Sequence, residues 1–208
     1  MVVQDKQARK REEIVAAAFR VIAKKGLAGA TVREVAREAG FSPGALVHYM
    51  KAKDELLAEV SFYSASVVRK RMEQMDTRYS GLELLRNLAL ECLPTSEERR
   101  GHWRIWLGYC ERAAENPDFF NVIRGRQDEM ARRISRALRQ AIKAKEIPAD
   151  INVAAVAESL SALIDGIGMR STINQQPTSA ARQRRLIDVW INGMLEPAQP
   201  SKASRKRK

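Results

Sequence analysis

Apolar positions recur with helical spacing almost throughout the chain. Ile14, Ala17, Ala18, Val21 and Ile22 form one stripe, and Gly26 after Lys24 and Lys25 reads as the stop of a first helix. Thr31 predicts the cap of a second helix, with Glu34 as its capping-box partner. Val32, Val35, Ala36 and Ala39 are its expected inner face, and Gly40 its end. Ser42 then caps a third helix whose first position is Pro43, with Leu46 and Met50 pointing inward. A fourth helix is expected from about Asp54 to Met75 and a fifth from Gly81 to before Pro94. A sixth covers about Glu97 to Glu115, and the Asn116-Pro117 breaker starts a seventh that reaches about Lys145. The eighth, about Asn152 to Ser171, carries a seam of Val153, Val156, Ala157, Leu160, Ile164 and Ile167. The ninth, about Ser179 to Leu195, places Leu186, Val189, Trp190, Gly193 and Met194 in phase. No run alternates with the period of a strand, so the expected fold class is all-α, with about nine helices.

The 208 residues divide into a helix-turn-helix unit over 1–53, a regulatory unit over 54–196 and a basic tail over 197–208. An apolar fraction of 45% supplies a core, and 7 Pro with 11 Gly argue against a loop-rich β fold. A net charge of +12 favours a polyanionic partner, nucleic acid before an anionic membrane. Five of the last seven residues are Lys or Arg, a run that reads either as a solvated tail or as an arm adding non-specific phosphate contacts. The two cysteines, Cys92 and Cys110, lack metal-ligand or disulfide spacing, which fits a reducing cytoplasm. The first twenty residues are charged, so no secretory signal is expected, and no apolar stretch is long enough to span a membrane.

Candidate chemistry concentrates first between Thr31 and Lys53. A helix that lies in the major groove needs little bulk where its backbone nears the bases, donors at its N-terminus and positive charge at its flanks. Ser42, Pro43, Gly44, Ala45 and His48 form such a face, and Val47 has the right chemistry for a thymine methyl. Thr31 and Ser42 stand at two helix starts, Tyr49 and Lys53 offer a hydroxyl and a charge to phosphate, and Arg33 has the fork that reads guanine. No nucleophile–base pair, phosphate loop or metal cluster accompanies them, so neither an enzyme nor a cofactor is expected. A non-specific architectural DNA-binding protein is the alternative that the charge alone allows.

Thr31, Val35-Ala36, Ala39-Gly40, Ser42, Gly44, Leu46, His48-Tyr49, Lys53 and Leu56-Leu57 together resemble the N-terminal signature of the TetR family of bacterial repressors. Phe41 stands where that family usually has Val, and Met50 where it usually has Phe. The resemblance implies a homodimer that binds a palindromic double-stranded operator and is released by a small-molecule effector, in a repressor of an efflux, catabolic or other operon.

In the second half, Gly166, Gly168 and Gly193 permit close helix approach. The eighth and ninth helices are expected to pair with a second copy through Val156, Leu160, Ile164, Ile167, Leu186, Val189, Trp190, Gly193 and Met194. Trp103, Trp106, Tyr109 and Cys110 crowd the sixth helix, either as core or as the wall of a ligand site that Phe119, Phe120 and Met169 help to close. Asp165, a carboxylate in an apolar seam, needs a partner, either an Arg of the chain or a cationic ligand. ALIDGIGMR (162–170) and WRIWLGYCERAAENP (103–117) resemble the BetI branch, which implies a quaternary-ammonium effector such as choline. Gly168 departs from that branch, which has Trp at this position.

Overall fold

The computed structural model describes residues 2–49, 53–174 and 178–195. Nine helices and no strand occur among them: α1 (Val2–Gly29), α2 (Val32–Ala39), α3 (Pro43–Tyr49), α4 (Lys53–Asp76), α5 (Gly81–Glu91), α6 (Glu97–Ala113), α7 (Pro117–Lys143), α8 (Val153–Ile173) and α9 (Ala180–Leu195). Each boundary has a local cause. Gly26 adopts φ 73, ψ 175, a left-handed break that interrupts α1. Ser96 accepts from the Arg99 N–H at 3.3 Å, Asn116 from Asp118 at 2.9 Å and Asn152 from Ala155 at 3.2 Å, so each side chain satisfies a donor that a helix start leaves open.

A first core lies where α1 crosses α2, α3 and α4. Ile14, Ala18, Val21, Ile22, Val35, Ala36, Leu46, Leu56 and Val60 pack there, and Ile105 of α6 joins them. Leu46 is fully buried, so truncation to Ala would cost about 2–5 kcal/mol. A second, larger core holds Leu84, Leu85 and Leu88 of α5, Ile134, Ala137 and Leu138 of α7, Leu160, Ile164 and Ile167 of α8, and Ile187 and Ile191 of α9. A small third cluster joins Leu57, Tyr109, Phe119 and Ile123.

Helix α6 lies between the two halves. Its Gly101 and Gly108 face α1, where a β-carbon on Gly101 would come within 2.5 Å of the Ala23 β-carbon and one on Gly108 within 3.2 Å of Leu27. Arg104 donates to the Ala23 carbonyl across the same contact. The absence of two side chains on α6 therefore lets α1 sit directly upon it, and a displacement of α6 has no slack to absorb it before it reaches the first core.

Candidate functional site

Two regions carry chemistry, and the first is the α2–turn–α3 segment. Thr31 accepts from the Glu34 N–H at 3.3 Å. The other half of the expected capping box does not form: the Glu34 carboxylate takes Lys25 at 2.5 Å and Arg37 at 2.8 Å, because charged donors bind it better than a backbone amide. Those two bonds hold the Glu34 pKa below the usual carboxylate range. Gly40 turns left-handed (φ 73, ψ 24), and the Phe41 N–H reaches back to the Ala36 carbonyl at 2.9 Å. Ser42 then caps α3 by accepting from Ala45 at 3.2 Å. Val32 is 38% exposed rather than inward, since it opens α2 on the side away from α1.

The outward face is as the spacing predicts. Arg33, Ser42, Pro43, Gly44 and Val47 are exposed and Ala45 is half-buried. A β-carbon on Gly44 would meet nothing within 4 Å. Glycine weakens a helix by about 1 kcal/mol relative to alanine, and nothing inside the molecule asks for it here. The open space there leaves room for close approach of a partner. Arg33 is the one charged side chain of α2 without an ion pair among the described residues, because Glu34, Arg37 and Glu38 bond to one another, to Lys25 or to Arg20. His48 and Tyr49 continue α3 and Lys53 opens α4. Their assignment to DNA rests on sequence, and Met50 lies outside the described residues.

The second region is a cavity of about 210 Å³ enclosed by α4, α5, α6, α7 and α8. Trp103, Trp106 and Asp165 line it, as the sequence suggests. The Trp103 indole N–H donates to the Cys92 carbonyl at 2.6 Å, and its ring lies where a β-carbon on Gly168 would otherwise stand. The glycine that departs from the BetI-branch residue thus makes room for this indole.

Other expected residues do not line the cavity. One turn beyond Trp106, α6 leaves the cavity, and Tyr109 stacks on Phe119 in the third cluster with ring centroids 4.6 Å apart. Cys110 packs beside that pair. Phe120 and Met169 are 52% and 45% exposed, on helix faces turned to solvent. Burial first, then nearby carboxylates, pushes the Cys92 thiol up to about 12 and Cys110 to about 11, so neither is a thiolate nucleophile at neutral pH.

Several lining residues escape the sequence reading. Glu91, almost fully buried, is held by Arg71 at 3.3 Å and by Arg99. Glu129 is held by Arg69 at 3.2 Å and Arg133 at 3.1 Å. His102 shares a 2.7 Å hydrogen bond with Ser64 through Nδ1 and packs on Phe19. Burial, then the charge of Arg71, lowers its pKa to about 4, so it is neutral at physiological pH. Arg126 lies over three aromatic rings. Only its place in the inner stripe of α7, between Ile123 and Met130, distinguishes it in sequence from a basic surface.

Several residues expected to pair with a second copy are instead buried within the chain. Leu160, Ile164 and Ile167 are 0%, 4% and 6% exposed, because the strongest apolar stripe of α8 packs into the chain's own core. Trp190 and Met194 pack against that core, and so does Val156. Leu186 and Val189 are exposed on α9, and Gly193 is open to solvent. On α8, beyond Ala154 and Ala155 of its first turn, Ala162, Met169 and Ile173 are exposed small or apolar positions, with the half-buried Gly166 beside them and empty space above it.

Comparison with known proteins matches residues 14–60 to the bacterial regulatory proteins of the tetR family, and residues 81–196 to the BetI-type transcriptional repressor C-terminal family. The regulator PksA of Bacillus subtilis is 30% identical over 180 residues, 86% of each chain. The regulator BetI of Stenotrophomonas maltophilia is 23% identical over 195 residues, 91% of this chain and 94% of that one. A transcriptional regulator from Saccharomonospora viridis, solved in complex with choline, shares the fold with a TM-score of 0.81 at 24% identity, covering 91% of this chain and all of that one. These relatives are transcriptional regulators, and the chain belongs to the TetR family of DNA-binding transcriptional repressors, with a regulatory half of the BetI type.

Proposed function

We propose that the chain is a ligand-responsive repressor that binds a palindromic operator as a homodimer in the cytoplasm and is released when a small effector fills the α4–α8 cavity. Residues 1–53 serve as the reading head and 54–196 as the regulatory unit; 197–208 lie outside the described residues. The observation that carries the reading is the position of α6. Arg99, His102, Trp103 and Trp106 face the cavity from this helix, while Gly101, Ile105 and Gly108 hold it to α1 and the first core. Ile105 belongs to both, as a lining residue and as a member of the head's core. An effector that binds better to one placement of α6 than to another shifts the head by that difference in affinity.

One short recognition helix contacts few base pairs, so specificity calls for two heads about one turn of DNA apart, roughly 34 Å. A surface that takes in Ala162, Gly166, Met169 and Ile173 of α8 and Leu186, Val189 and Gly193 of α9 is open among the described residues, with Arg182 and Arg185 beside Leu186 and Val189. It suits a four-helix contact between protomers. Phosphate contacts fall to Thr31, Ser42, Tyr49 and Lys53, and base contacts to Arg33 and the Gly44–His48 face. A quaternary ammonium such as choline is a second reading of the effector, favoured by Trp103, Trp106, Asp165 and the choline held by the Saccharomonospora viridis neighbour.

Paired substitution Leu186→Glu and Val189→Glu tests the assembly. Sedimentation is expected to give a folded monomer, with operator affinity reduced by about a hundredfold or more. A stable dimer with full operator affinity would place the pairing surface elsewhere.

A further inference from the structure

The charges around the cavity fall into two groups. Glu91 and Glu129 are each held between two arginines, and Arg133 also bonds Asp76 at 2.8 Å. Arg126 and Asp165 have no ion pair among the described residues. Asp165 lines the cavity and is partly open to solvent, and desolvation of its carboxyl raises its pKa above the usual aspartate range. The neutral form is thereby favoured, so it places less demand on a partner than a fixed charge does.

Arg126 is placed differently. Its guanidinium carbon lies 5.4 Å from the centroid of Tyr109, 5.7 Å from Trp106 and 5.8 Å from Phe62. It donates to Ser61 Oγ at 2.9 Å and to the Ser61 carbonyl at 3.0 Å. A guanidinium has five N–H donors and stays charged in proteins, so these two neutral acceptors leave donors unused, and the charge faces rings rather than a bonded carboxylate. A half-buried cation in this state gains from an anion that arrives with its own apolar body.

The same geometry bears on a cationic ligand. Of the two indoles that line the cavity, Trp106 already faces the chain's own cation, so a quaternary ammonium would share that ring with Arg126. A second positive charge there would meet repulsion at close range in a site of reduced dielectric. Val68, Met72, Met130 and Ile164 supply an apolar wall beside Arg126, among the charged Arg69, Glu91, Arg99, Glu129, Arg133 and Asp165.

We propose that the effector is a small amphiphilic anion, a carboxylate joined to an apolar chain, and that Arg126 binds the carboxylate. The proposal rests on the effector-cavity reading above and names the ligand class of that site. Arg126 selects by charge and by its two-pronged geometry, the apolar wall selects the body, and Asp165 repels the anion weakly.

Three probes of equal chain length separate the possibilities: hexanoate, hexyltrimethylammonium and hexanol, titrated calorimetrically into the full chain. Hexanoate is expected to bind about tenfold tighter than either of the others. Arg126→Met should erase that preference, Arg126→Lys should keep part of it, and Asp165→Asn should strengthen hexanoate by about twofold. Tighter binding of the ammonium probe, weakened by Asp165→Asn, would overturn the proposal, as would a hexanoate preference that survives Arg126→Met or the absence of binding by all three. The wild-type series needs no variant to fold. Operator binding by the unliganded chain, measured alongside, reports on the repressor reading independently of which probe the cavity prefers.

Discussion

In the head, ion pairs lie on the solvent side: Arg11 with Glu55 and Glu59, Arg20 with Glu38, Lys25 with Glu34. In the regulatory half, several lie inside: Arg71 and Arg99 hold the buried Glu91, and Arg133 bonds Asp76 with both side chains largely covered. The consequence differs. Exposed pairs contribute little to stability, so α2 and α3 are held by caps and by Leu46, and their outer face is free to serve a partner. Buried pairs are strongly coupled to folding, because removal of one member strands the other. In both regions the charge left over, Arg33 outside and Arg126 inside, stands where a ligand is expected, and the second is the more demanding of an anion because it is drier.

Perturbations ranked by size would break or sharpen this contrast. The largest effect is expected in the regulatory half from Gly168→Ala, which forces the Trp103 indole out of its place against α8 and should cost about 3 kcal/mol in urea denaturation. Unchanged stability would mean that the indole has room to spare. Next comes the pH response of His102. Its folded pKa of about 4 lies below the ordinary 6.5, so the unfolded chain takes up the proton first. Its contribution is full above about pH 6.5 and is lost as pH falls toward 4, on the order of 3 kcal/mol in all. Urea midpoints across that window should fall less steeply in His102→Gln. In the head, Arg33→Ala should leave stability unchanged and weaken operator binding by about 1 kcal/mol or more, read by fluorescence anisotropy. The smallest effect belongs to Phe120→Ser. This ring faces solvent, so stability should move by less than about 0.5 kcal/mol and the affinity for hexanoate should stay the same.

The head was legible because its instructions are local. Thr31, Gly40, Ser42 and Pro43 each act within a turn of where they stand, and each adopts the predicted role. The misread details, Val32 and the Glu34 side chain, depend on which way α2 faces α1, and a pattern within one helix does not report that. In the regulatory half, closeness in sequence misleads. Trp103 and Trp106 share a cavity, whereas Tyr109, one turn further, belongs to another cluster. Arg126 was hidden because a basic residue among basic residues looks like surface, although its phase with Ile123 and Met130 points inward. On α8 the strongest apolar stripe, Leu160 with Ile164 and Ile167, serves the chain's own core, and what remains for a partner is the weaker pattern of Ala162, Gly166, Met169 and Ile173.

The most direct test is a titration of the unliganded chain against fluorescent duplex from the region upstream of its own gene, and against a scrambled duplex at the same salt. The expected result is a preference of about a thousandfold or more, with two chains bound per half-site pair. Equal affinity for both duplexes would reduce the α2–α3 face to a basic surface and contradict operator recognition by a paired head.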